Sequence, residues 1–128
     1  MLVTVCIFFY VAAEHPLDDA GDGSLRLRRL KPREHKRLLE GEHVYLAVGC
    51  ACALTLDGAD EEDRVQRTRL LDDLEAFLSA ATEQGVVRAL VTDGSRKQPA
   101  AVTLSVSDFR EFDFDSAWHA PSVLTVQR

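Results

Sequence analysis

Hydrophobic and polar positions along the chain follow two periods, and the shorter one comes first. Between Leu2 and Ala12, Val3, Val5, Ile7, Phe9 and Val11 occupy one parity, and Leu2, Thr4, Cys6, Phe8 and Tyr10 the other. Strand side chains alternate between faces, so a run that is apolar on both parities predicts an interior strand covered on both sides. Glu14 to Gly23 holds Pro16, two glycines and four carboxylates and reads as an exposed loop. Ser24 to Leu30 opens as a one-sided strand, Leu25 and Leu27 against Arg26 and Arg28. Arg29 and Leu30 then break the period, which marks an edge or a bulge. Pro32 suits the first turn of a short helix to about Glu40, anchored by Leu38 and Leu39, with Gly41 at its C′ position.

Val44 to Leu56 carries the sharpest alternation. Val44, Leu46, Val48, Cys50, Cys52, Leu54 and Leu56 make a bulky face, while Tyr45, Ala47, Gly49, Ala51, Ala53 and Thr55 make a smaller one. A long central strand is expected, one face filling the core and the other letting a helix or a second backbone come close. The period then changes. Asp60 is placed to cap a helix with an acidic first turn, and Leu70, Leu74, Phe77, Leu78 and Ala81 recur at helical spacing, with Val65 and Leu71 flanking. The helix is expected from about Asp60 to Gln84, with Gly85 ending it. Val86 to Thr92 is expected as a strand parallel to the long one. After the polar turn Asp93 to Pro99, Ala101 to Val106 alternates again and predicts a hairpin with one wet face. Ser107-Asp108-Phe109 suits a single helical turn, with Phe109, Phe112 and Phe114 as aromatic plugs, and Ser122 to Gln127 reads as a last short strand. The expected fold class is α+β: a two-layer sandwich with a mixed β-sheet and one long helix, approximately ferredoxin-like, in a single globular domain over 1–128.

Composition narrows the classes. The chain has 128 residues, 46% hydrophobic and 28% charged, with 7 Gly and 4 Pro, too few for a disordered or collagen-like chain. Its longest apolar run, Leu2 to Ala13, falls short of the about 20 residues needed to span a bilayer, so no membrane role is expected. No basic residue precedes that run, which reads as a strand and not as a secretory leader. The 3 cysteines are an odd number with no disulfide-scaffold spacing, and a cytoplasmic location is expected.

Three features could carry chemistry. Cys50 and Cys52 share a strand face and could hold a soft metal with Cys6 or His43, but flanking Val48 and Leu54 continue the apolar face and favour burial as small hydrophobes. A net charge of −6 contrasts with a basic block of Arg26, Arg28, Arg29, Lys31, Arg33, Lys36 and Arg37 opposed only by Glu34. Phosphate binding needs such a patch, yet the block lacks aromatic residues for stacking on bases, and charged strand edges also guard against aggregation. Ser95, Arg96 and Lys97 after Gly94 could hold an anion in a turn, without the spacing of a nucleotide-binding loop. The histidines His15, His35, His43 and His119 form no metal-ligand pair, and neither a nucleophile elbow nor a dinucleotide fingerprint occurs. The expected function is a small non-enzymatic interaction or structural module without a cofactor, its acidic surface or sheet edge meeting a protein partner or another copy of itself. A nucleic-acid or phosphate-binding module using residues 26–37 is the alternative, and a thiol or metal protein using Cys50 and Cys52 the second.

Overall fold

The run that is apolar on both parities becomes β1 (Phe8–Ala13), which lies inside a six-stranded sheet. The computed structural model describes residues 7–17, 27–31, 43–48, 60–92, 100–114 and 121–128. The other elements are β2 (Arg28–Arg29), β3 (His43–Val48), α1 (Glu61–Ala81), β4 (Val87–Thr92), β5 (Ala100–Ser105), a 3₁₀ helix (Val106–Glu111) and β6 (Ser122–Gln127). The strand order is β2-β3-β1-β4-β6-β5. Every pairing is antiparallel except β5 with β6, so the fold is α+β with a mixed sheet and one long helix. Both β3 and β4 run antiparallel to β1, which lies between them; they are therefore parallel to each other, as expected, and α1 links them in a split crossover. The helix expected before Gly41 and the strand continuation through Leu56 lie outside the described residues.

The main core lies on the helical side of the sheet. Ile7, Phe9 and Val11 of β1 and the preceding residue, Ala89 and Val91 of β4, and Leu124 and Val126 of β6 pack there against Leu71, Leu74, Phe77 and Leu78 of α1. Phe109 closes the core edge-on to Phe9, at a centroid distance of 6.0 Å, and to Phe114 at 5.4 Å, so two of the three expected aromatic plugs are fully buried. Tyr45 and Ala47, from the smaller parity of β3, face this core, the side where a helix was expected to come close. The bulky parity does not fill it over the described residues. Val44 joins Ala12, Leu30 and Leu90 in a second, smaller cluster on the opposite face, with Leu46 packed against it. The register slips between Phe9 and Tyr10, where Tyr10 pairs with Leu46 but Phe9 with Val48. An extra residue in one strand exchanges the faces of those beyond it, so strict alternation cannot be carried through this point.

One expected pairing is corrected. Val86 to Thr92 and Ala101 to Val106 do not form a hairpin, because β6 lies between them, antiparallel to β4 and parallel to β5. Burial explains the choice: β6 places the fully buried Leu124 and Val126 on the core face, whereas β5 has only Val102 and Leu104, both half-buried. The strand with the larger apolar content takes the interior place.

Candidate functional site

The basic block is described at Arg28, Arg29 and Lys31, all exposed. Arg28 and Arg29 are successive residues of β2 and project to opposite faces. Arg28 pairs with Leu46, beside Tyr10 on the face away from the helix, where burial raises the Tyr10 pKa and the Arg28 charge partly lowers it. Arg29 pairs with Tyr45, and its Nη2 lies 3.0 Å from Nδ1 of His43. For Arg29 to donate, that ring nitrogen must be the unprotonated one. Leu27 packs on the helical side and Leu30 joins the opposite cluster, so the order Leu-Arg-Arg-Leu gives each face one leucine and one arginine. The period break expected at Arg29 is thus an edge whose alternation continues. The structure does not bring Arg28 and Arg29 onto one surface. Arg26, Arg33, Lys36 and Arg37 lie outside the described residues, as do Ser95, Arg96, Lys97, Cys6, Cys50 and Cys52. Among the described residues no group of His, Cys, Asp or Glu could hold a metal ion.

A different surface stands out at the other end of the sheet. The outer edge of β5 pairs with no described strand, and the sequence Ala100-Ala101-Val102-Thr103-Leu104-Ser105 contains neither charge nor proline. Ala100, Ala101 and Thr103 are exposed and Val102, Leu104 and Ser105 half-buried. In a parallel ladder every second residue turns its N–H and C=O away from its neighbour, so β5 presents backbone groups to solvent along its free side. Beside its C-terminal end, Ala76 and Ser79 of α1 face Ser105, Val106 and Ser107 across a shallow groove of about 580 Å³. The end of β5 is held firmly. The Ser105 hydroxyl accepts from the Asp108 backbone N–H at 3.3 Å, capping the 3₁₀ helix, and Arg110 of that helix bonds Asp72 and Glu75 of α1, the latter at 2.7 Å. Sequence reasoning missed this edge by pairing β5 with β4. The available signal was that β5 has fewer large apolar side chains than the last strand.

No family matches the chain, and neither a curated protein nor a solved structure is similar to it. The described residues include no helix long and apolar enough to cross a membrane.

Proposed function

We propose that the protein is a small non-enzymatic interaction module whose sheet is extended across β5 by the β5 strand of a second copy. One observation carries this reading: β5 is a six-residue outer strand with no charge, no proline and no described neighbour on its free side. Natural sheets usually guard such an edge with lysine, proline or a bulge, and an unguarded edge serves backbone-mediated strand addition. The choice of a second copy rests on symmetry. In a two-fold antiparallel pair each strand meets its own sequence, and any charge would meet or neighbour the same charge. The uncharged β5 avoids that repulsion in a chain of net charge −6. The half-buried Val102 and Leu104, which pack against the core on the helical side, gain cover in such a pair. The split crossover is the part of a ferredoxin-like plan that the fold supports.

Analytical ultracentrifugation over a wide concentration range tests the proposal. Wild-type protein should show a reversible monomer–dimer equilibrium. A variant with both Ala101→Lys and Thr103→Lys, at exposed positions, should stay monomeric with an unchanged circular dichroism spectrum. Wild-type protein that remains monomeric throughout, or a charged variant that dimerises as before, would overturn it.

A further inference from the structure

At the end of the sheet where β1 leaves and β4 begins, a cleft of about 500 Å³ opens between Glu14, His15, Gln84, Gly85, Arg88 and Thr125. Ligand sites commonly measure about 300–1,000 Å³, and this cleft gathers polar groups from three separate segments of the chain. Its walls are built in. His15 Nε2 lies 3.2 Å from the Ala81 carbonyl oxygen in the last turn of α1, which ties the end of β1 to the helix. Gly85 turns the chain toward β4 with φ of +148°, a conformation that disfavours a side chain.

Arg88 is the unusual member. It sits in an interior strand, paired with Ala12 on one side and Thr125 on the other, and is half-buried. Among the described residues its side chain makes neither an ion pair nor a hydrogen bond, unlike those of Arg110 and Arg128, which both reach carboxylates. Glu14, exposed just beyond the end of β1, lines the same cleft, and it too has no ion pair among the described residues. A guanidinium on a half-buried side chain that has no protein partner is placed to take one, and an anionic group on a ligand would supply it. A simple anion would also meet the nearby Glu14 carboxylate. A ligand carrying both signs satisfies both groups at once.

We propose that this cleft binds a small zwitterion of the free amino acid class, its carboxylate on Arg88 and its ammonium on Glu14. The Thr125 hydroxyl and the Gln84 amide are further polar groups available to the carboxylate. This site is separate from the β5 edge and does not depend on dimerisation.

The test is an NMR titration of the full chain with a panel of free amino acids, using acetate and ethylammonium as single-charge controls at matched ionic strength. At least one amino acid should bind saturably and shift the Gln84, Gly85 and Thr125 amides. Each control should bind roughly thirtyfold more weakly or worse, as should that amino acid to Arg88→Gln or to Glu14→Gln. Unchanged spectra of the free variants away from the cleft would show that they fold. Acetate binding as tightly as the best amino acid, no saturable binding by any of the panel, or binding that survives both substitutions would overturn the proposal.

Discussion

At residue scale, Leu74 and Tyr10 show how much a single environment decides. Leu74 is fully buried between α1 and the sheet, so Leu74→Ala removes most of a packed side chain and should cost about 2–5 kcal/mol of unfolding free energy, read from urea denaturation. Leu74→Asp puts a charge into a fully buried apolar cluster and should leave the chain unfolded by circular dichroism; a folded, unchanged variant would contradict the packing of α1 on the sheet. Tyr10 lies in a weaker position, half-buried on the opposite face. Burial raises its pKa, and Arg28 lowers it in part without cancelling the rise. The native state therefore holds the phenolic proton more tightly than the unfolded chain does. This contribution is fully present below the ordinary tyrosine value of about 10 and is lost as pH climbs through the raised native value. Tyr10→Phe should flatten the alkaline fall in stability, while Arg28→Gln should move the Tyr10 titration, followed by NMR at the ring carbon bearing oxygen, to still higher pH.

At element scale, the helix was the most legible part of the sequence because its signals are local. Asp60 caps α1 by accepting from the Asp63 backbone N–H at 2.8 Å, and three acidic residues occupy the first turn. Asp60→Ala should cost about 1 kcal/mol in the same denaturation measurement, with Asp60→Asn recovering most of it. The other end was less legible. The helix stops at Ala81, short of Gln84: Thr82 is its C-cap, with its hydroxyl donating to the Leu78 carbonyl at 2.7 Å, and the chain turns before it reaches Gly85. Threonine in a helical run gives no sign of that role until its partner carbonyl is known. The strands divide in the same way. Their existence at 87–92, 100–105 and 122–127 was legible to within a residue, the middle one from its alternation. Their neighbours did not, since pairing is decided by competition among strands far apart in sequence, and β6 displaced β5 from β4 through the burial of Leu124 and Val126. A register slip at Phe9 and Tyr10 was equally hidden, because one extra residue leaves no mark in composition. The cleft at Arg88 needed all of this, since β1, β4 and β6 meet there only once their order is known.

At the scale of the whole molecule, charge distribution decides what the basic segment can do. The segment from Arg26 to Arg37 carries seven cations and one carboxylate, yet the chain as a whole has a net charge of −6, so the remainder is strongly acidic. At physiological salt the screening length is about 8 Å, and a local patch attracts a polyanion only where its cations lie on one surface, clear of the carboxylates. The two described members that lie in a strand do not share a surface. Arg28 and Arg29 project to opposite faces of the edge strand, and Arg29 is engaged with His43. Neutralising several phosphates at once releases counterions and gives a steep loss of affinity with salt, while one or two isolated contacts give weak binding at any useful ionic strength. Short RNA and DNA should accordingly bind only weakly at low salt and lose that binding on raising salt to physiological strength, as read by fluorescence anisotropy. A variant with Arg28, Arg29 and Arg33 changed to Ala should differ little from wild type at the higher salt. Submicromolar binding there that vanishes in the triple variant would show that the cations act together, and would make a nucleic acid, ahead of a second copy of the chain, the leading partner.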